Sequence, residues 1–472
     1  MTVPDTTGVP NDLTQEFAQR LDATYSQIRQ ELEKNPRSYQ WRIDQLGALK
    51  RMIEENDDAL SNAMWKDLRK GKFECQATEQ GIVLAEINHT LKHLKKWMKP
   101  RRVKTPLYNQ LGRSRIVHDP YGLALIIGAW NYPINLTLAP LVGAIAGGNA
   151  AMIKPSEISA HTSAIIADLL PKYLDTKLFA VVEGGVRETG LLLDKVFDTI
   201  FFTGSGPVGK IILAKAALHL TPVTLELGGK SPAVIRPDAD IKVSARRIAW
   251  GKFMNAGQTC VAPDYLIIHP TIREAFVDEM KKVLLEFYGH RASDSPDYCR
   301  IVNEKNFDRL TGLAKGLPVL HGGASDRGTL YIEPTIVAAK ADSAIMQEEI
   351  FGPLLPVLEM DSLDEIVKFI NARPKPLSLY LFTKSSTVVN RLVGSTSSGA
   401  LCVNDVVIHM PEPELPFGGV GASGMGHYHG EFSFKTFTHA KGVLKKSFWF
   451  DVPVRYAPYT AFKARLLRWL FS

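Results

Sequence analysis

Between Pro120 and Ile153 the chain carries no Asp, Glu, Lys or Arg. An uncharged run of that length has to be hidden, either across a bilayer or in the middle of a large fold. Asn131, Pro133 and Asn135 interrupt it, and Gly143, Gly147, Gly148 and Asn149 weaken its second half as a membrane span. It divides better into a buried strand (123–129), a loop, a buried helix (136–146) and a second strand (150–153). Uninterrupted apolar strands separated by helices predict a parallel sheet covered on both faces.

The same alternation continues downstream. A helix over 158–170 is followed by strands over 179–182 and 199–202, a helix over 208–217 and a strand over 223–227. This is a doubly wound, Rossmann-like α/β unit, whose ligands sit at the carboxyl ends of its strands. Asn131, Lys154, Gly204 and Glu226 fall at such ends. Upstream, residues 12–99 read as helices, since Phe17, Leu21, Tyr25 and Ile28 recur at helical spacing, as do Leu46, Leu49 and Met52. A basic, extended connector covers 100–117. After Gly229 a second α/β stretch runs to about residue 402, with helices near 239–252 and 274–287.

Three short stretches carry chemistry. Asn255-Ala-Gly-Gln-Thr-Cys260 places a thiol behind small residues, and Gly257 permits close approach by backbone or ligand. Thr224-Leu-Glu-Leu-Gly-Gly-Lys230 is a buried strand with a lone carboxylate ending on paired glycines. Trp130-Asn-Tyr-Pro133 brings an amide to a strand end. A thiol, a carboxylate and an amide are the parts needed to attack a carbonyl, activate water and hold an oxyanion. A fourth stretch, Gly204-Ser-Gly-Pro-Val-Gly209, matches the dinucleotide pattern G-x-G-x-x-G between a strand and a helix. The free N–H groups and dipole of that helix start suit a pyrophosphate, although a plain helix-opening turn has the same letters. In that pattern an acidic residue downstream grips the ribose, which nominates Glu226. Lys154-Pro-Ser-Glu157, at another strand end, offers Glu157 instead and leaves Glu226 for catalysis.

The four cysteines, Cys75, Cys260, Cys299 and Cys402, are too few and scattered for a disulfide scaffold, and no Cys/His cluster suggests a metal. They fit a reducing cytosol, and Met1–Pro10 lacks the basic and apolar regions of a secretory signal. Seven basic residues beyond residue 440, against Asp451, hold +6 of the net +7 charge. The body is therefore nearly neutral, which argues against a nucleic-acid-binding protein, while the tail faces an anionic surface. Phe462, Leu466, Trp469 and Leu470 fall on one face of a tail helix, with Arg465 and Arg468 beside it. Such a helix either packs on a partner subunit and narrows a substrate entrance or lies on a membrane surface.

In order along the chain, Trp130–Pro133, Lys154–Glu157, Phe202–Ser205, Glu226–Lys230, Gly257–Cys260, Glu348-Glu-Ile-Phe-Gly-Pro353 and Pro416-Phe-Gly-Gly419 resemble the NAD(P)-dependent aldehyde dehydrogenases. Tyr428-His-Gly430, Phe434-Lys-Thr-Phe437 and Arg455-Tyr-Ala-Pro-Tyr459 look like the class 3 branch, which includes fatty-aldehyde enzymes. Ala457 stands where that branch usually has a first proline. The resemblance implies Cys260 as nucleophile, Glu226 as general base and Asn131 as oxyanion donor. It implies Lys154 and Glu157 on the adenosine ribose, and Glu349 and Phe351 at the nicotinamide ribose and ring. Trp130, Gly204, Ser205, Gly209, Leu227 and Gly228 complete the implied cofactor surface, for NAD with NADP also admissible. Tyr132 and His429 are candidate walls of the substrate funnel, each with packing as the alternative. The fold implied is a cofactor domain (1–227), a catalytic domain (228–410), a strand-rich oligomerisation element drawn from 100–121 and 411–440, and a basic tail (441–472), assembled as a homodimer. The expected reaction oxidises a long-chain, aromatic or apocarotenoid aldehyde to its acid through a cysteine thioester. Transfer of that thioester to CoA, or a non-catalytic binding role on the same scaffold, are the rival readings.

Overall fold

The computed structural model describes residues 11–34, 36–449, 451 and 453–471 of the chain. The leader reading of Met1–Pro10 and the side chain of Leu470 lie outside the described residues. The first part is a helical layer: α1 (Asn11–Lys34), α2 (Tyr39–Glu55), α3 (Asp57–Leu68), α4 (Lys72–Cys75) and α5 (Gly81–Trp97), the last two joined by a π turn, Gln76–Gln80. Two strands, β1 (Arg101–Val103) and β2 (Arg113–Pro120), occupy the expected basic connector.

The uncharged run then folds as β3 (Leu123–Ile127), α6 (Asn135–Gly147) and β4 (Ala150–Lys154), all buried on every side. No helix among the described residues is long and apolar enough to cross a membrane. Next come α7 (Ala160–Tyr173), β5 (Phe179–Val181), α8 (Val186–Leu193), β6 (Thr199–Thr203), α9 (Gly206–Ala217) and β7 (Val223–Glu226). The short helix α8 is absent from the sequence reading. Its start is fixed locally, the Glu188 carboxylate accepting the Gly185 N–H at 2.8 Å, and eight residues give too little periodicity to register.

The chain crosses at Leu227–Ser231 into a second layered unit. It comprises β8 (Pro232–Ile235), α10 (Ile241–Phe253), β9 (Tyr265–Ile268), α11 (Pro270–Tyr288), α12 (Glu304–Ala314) and β10 (Val319–His321). A ribbon, β11 (Ser325–Asp326) with β12 (Tyr331–Ile332), precedes β13 (Thr335–Ala338), β14 (Leu354–Glu359), α13 (Leu363–Asn371), β15 (Ser378–Phe382), α14 (Ser386–Ser395) and β16 (Ala400–Val403). The chain then returns through β17 (Gly424–Met425), α15 (Gly430–Thr436), β18 (Thr438–Lys445) and α16 (Ala461–Phe471).

Among the described residues, three larger sheets organise these elements, besides the β11-β12 ribbon. The first has order β17-β7-β6-β3-β4-β5, parallel except for β17. The second has order β10-β13-β14-β9-β8-β15-β16, parallel except for β10. The third, β1-β2-β18, is antiparallel and stands apart from both. Its strand β18 runs past residue 440, so the first residues of the expected tail belong to this sheet. The return segment is tied to the first unit by small residues. A Cβ at Gly143 of α6 would lie 2.9 Å from the Phe437 ring, so glycine there lets that ring pack flat on the helix.

Candidate active site

Glu226 ends β7, and the next residues carry the chain from the first sheet to the second, so the carboxylate sits at the seam between the two units. It is buried, neither carboxylate oxygen has a hydrogen-bond partner among the described residues, and burial pushes it well above the usual carboxylate range. A carboxyl left without donors in such a place is poised to take a proton.

The loop that carries Cys260 follows α10. Asn255, Ala256 and Gly257 adopt left-handed φ values of 53°, 51° and 74°. Two side-chain-bearing residues there cost about 1–2 kcal/mol each, and a dense set of bonds offsets it. The Asn255 N–H donates to Glu74 at 2.9 Å, and its amide donates to the backbone oxygens of Asn131 (2.8 Å) and Gln258 (3.1 Å). Gln258 donates to the Asn255 and Arg300 carbonyls at 3.0 and 2.9 Å and accepts the Val302 N–H at 3.0 Å. A Cβ on Gly257 would overlap the Gly352 carbonyl. Glycine is thus needed here for a neighbouring chain segment as well as for its φ, rather than for ligand access.

Cys260, at the end of this loop, is half-buried. Burial pushes its thiol up to about 12, with the Glu349 and Glu226 carboxylates adding to the effect. It opens on a cavity of about 170 Å³ also lined by Tyr132, Leu136, Trp250, Met254, Phe417 and Tyr428. The lining is overwhelmingly apolar. Of its polar groups, the Tyr132 hydroxyl and Thr259 Oγ are spent on each other at 2.7 Å. Asn131 is buried, and its amide donates to the Gln258 carbonyl at 3.0 Å, which leaves one of its two N–H groups unspent.

His429, for which a funnel wall and packing were both open, is not among the groups lining that cavity. It is fully buried with Nδ1 3.6 Å from Glu86, and its ring stacks on Tyr428 at 4.0 Å between centroids. Tyr428 forms the wall in its stead, with His429 behind it. Glu86 on α5 also accepts the Gly430 N–H at 2.9 Å and the Ser433 hydroxyl at 3.1 Å, which holds this turn in place.

On the other side lie the candidate cofactor residues. Lys154, the last residue of β4, donates to Glu157 at 2.8 Å and to the Pro155 carbonyl at 2.7 Å, with Glu157 open to solvent. Gly204 follows β6, and Gly206 at the start of α9 has open space before it. Ser205 makes no capping bond, so the first N–H groups of α9 are available to an anion. Gly209 packs against Leu227, where a Cβ would sit 3.0 Å from the leucine methyl. A Cβ on Gly228 would overlap the Glu349 carboxylate, so that glycine seats the glutamate. Burial, helped by Asp264, pushes Glu349 up to about 8 against the Gly229 N–H bond. Phe351, at φ 50°, meets Trp130 edge-on at 5.3 Å. Open glycine backbone, a free helix start and a carboxylate on a glycine seat fit a dinucleotide. Glu348, next to Glu349, instead pairs with Arg309 at 3.2 Å.

The profile of the aldehyde dehydrogenase family matches residues 13–443. The chain belongs to that family. It is 50% identical over 412 residues to the dimeric, NADP-preferring aldehyde dehydrogenase of Rattus norvegicus, covering 87% of this chain and 91% of that one. It is 48% identical over 422 residues to the 4,4'-diaponeurosporen-aldehyde dehydrogenase of Staphylococcus aureus, covering 89% and 92%. A substrate-bound Staphylococcus aureus AldH superposes with a TM-score of 0.90 at 43% identity, over 98% of this chain and 100% of that one. This aldehyde dehydrogenase is an NAD(P)-dependent oxidoreductase, and the sequence had pointed to both fold and family. What sequence reasoning missed lies around the named residues: the π turn, the buried Lys70–Glu79 pair at 2.7 Å and the Tyr428 wall. Lys70 stands nine positions from Glu79 across a turn, a spacing that no helix or strand period marks.

Proposed function

We propose that this aldehyde dehydrogenase oxidises long or bulky apolar aldehydes to their acids, with Cys260 as nucleophile, Asn131 as oxyanion donor and Glu226 as base. The apolar lining of the cavity onto which Cys260 opens carries the reading. An alkyl or polyene chain gains about 0.8 kcal/mol for each CH₂ it buries there, while a polar aldehyde finds few free partners.

The Cys260 thiol loses its proton to solvent water, Sγ bonds to the carbonyl carbon as the C=O π bond opens, and the carbonyl oxygen becomes an alkoxide. The free Asn131 N–H and the Cys260 backbone N–H receive that charge; one such donor is worth roughly 3–4 kcal/mol of barrier. A nicotinamide held by Glu349 would supply the hydride acceptor, and Cys260 would then carry the acyl group as a thioester. Glu226 then takes a proton from water, the hydroxide adds to the thioester carbon, and the C–S bond breaks to release the carboxylate. Lys154 and Glu157 hold the adenosine ribose, Glu349 the nicotinamide ribose, and the α9 start the pyrophosphate. The Glu157 carboxylate disfavours a 2′-phosphate, whereas Lys154 beside it favours one, so both cofactors are accommodated.

The working molecule is a homodimer, as the name of the rat relative has it for that enzyme. In a single chain the tail exposes Phe448, Trp449, Tyr459, Phe462 and Trp469 among its basic residues. That combination suits a cover supplied by the partner subunit or by an anionic membrane face. Initial rates with alkanals of increasing length, with NAD and with NADP, test the substrate class. We expect kcat/KM to rise with chain length; a preference for short, polar aldehydes would contradict it.

A further inference from the structure

Behind the oxyanion amide lies a buried charged joint that the reaction as written does not use. Lys70, in the turn between α3 and α4, is fully buried. Its ammonium donates to Glu79 at 2.7 Å and to the backbone oxygen of Asn131 at 3.2 Å, and it sits 4.0 Å from the centre of the Tyr132 ring. The second Glu79 oxygen accepts the N–H groups of Ile134 (3.2 Å) and Asn135 (3.0 Å), at the opening of α6. Glu79 lies within the π turn that interrupts the helix, a device commonly found where a side chain has to be redirected at a working site. The same Asn131 oxygen takes a second donor, the Asn255 amide, at 2.8 Å. One peptide oxygen is therefore where the N-terminal helical layer, the oxyanion loop and the nucleophile loop meet.

Stability alone does not explain this choice of residues. A buried ion pair is often no better for stability than apolar side chains of the same volume, because both charges must leave water. What the pair provides is an anchor: a charged donor holds a carbonyl more strongly than a neutral one, and the Glu79 bond fixes where that donor stands. Burial by itself would lower the Lys70 ammonium, but Glu79 and Glu74 outweigh it and hold the lysine charged.

We propose that Lys70, anchored by Glu79, is a positioning residue of aldehyde oxidation, holding the Asn131 peptide so that its carboxamide stays in register with Cys260. This rests on the reading of Asn131 as oxyanion donor. The test is a double-mutant cycle on aldehyde kcat/KM, with cofactor Kd measured alongside. Lys70→Met alone strands Glu79, so the main variant is Lys70→Met with Glu79→Gln, which removes both charges; Glu79→Gln alone is the milder second variant. We expect the double replacement to lower kcat/KM about tenfold to a hundredfold, against about a hundred- to a thousandfold for Asn131→Ala, with cofactor Kd unchanged within twofold. In the Asn131→Ala background the same replacements should cost less than about threefold, since nothing remains to be positioned. An equal loss in both backgrounds, or wild-type kcat/KM in the charge-free variant, would overturn the proposal while leaving the oxyanion assignment in place. Wild-type activity of Asn131→Ala would remove the assignment and the proposal together.

Discussion

Cys260 faces a difficulty that its surroundings create. A thiol pushed up to about 12 by burial is almost wholly protonated at neutral pH, so the nucleophile proposed here is latent in the cofactor-free enzyme. Below that value the thiolate fraction rises about tenfold per pH unit. Alkylation of Cys260 by iodoacetamide in the apoenzyme should therefore accelerate about tenfold from pH 7 to 8 and again to pH 9. A rate already level at pH 8 would show a thiol that burial does not control. Lys252 gives a second residue-scale expectation. It is fully buried at the end of α10, its ammonium has no hydrogen-bond partner among the described residues, and burial lowers it to about 8, Asp264 and Glu349 opposing and Lys230 reinforcing. Because the unfolded lysine titrates near 10.4, the folded chain bears the penalty in full below pH 8 and sheds it as the pH rises towards that value. Lys252→Met should be more stable than wild type at pH 7, by about 2 kcal/mol, with the gain vanishing near pH 10.5. Urea unfolding at both pH values checks this; an equal gain at each would contradict it.

Elements place these residues, and they were unequally legible. The strands β3, β4, β6 and β7 could be read because each is a short apolar run buried on both faces, and their carboxyl ends located Lys154, Gly204 and Glu226. The fine structure of the loops could not. That Gly257 is required by the Gly352 carbonyl, and Gly228 by the Glu349 carboxylate, depends on segments about a hundred residues apart in sequence. The surroundings of His429 were illegible for the same reason: Glu86, 3.6 Å from it, lies on α5, and nothing near His429 in the chain announces it. The glycine seat yields a test. Gly228→Ala drives a methyl group into the Glu349 carboxylate, so KM for NAD should rise about tenfold or more, while iodoacetamide still alkylates Cys260 at the wild-type rate. An unchanged KM would separate Glu349 from cofactor binding.

At the scale of the whole molecule, two sheets meet at a seam, and the third, β1-β2-β18, is hydrogen-bonded to neither. Sedimentation should give a dimer. Deletion of residues 460–472 should alter the aldehyde chain-length profile if α16 borders a substrate entrance, or reduce binding to anionic liposomes if it lies on a membrane; no change in either would leave the tail without a role. The seam is where the reaction is assigned, with Glu226 on one unit and Cys260 on the other. The most direct measurement there is a single turnover of Glu226→Gln with NAD and an apolar aldehyde, followed by mass spectrometry of the Cys260 peptide. We expect one equivalent of NADH per subunit, then arrest, with the acyl group of the aldehyde on Cys260. Continuous turnover at the wild-type rate, or an acyl group on any other residue, would contradict the assignment.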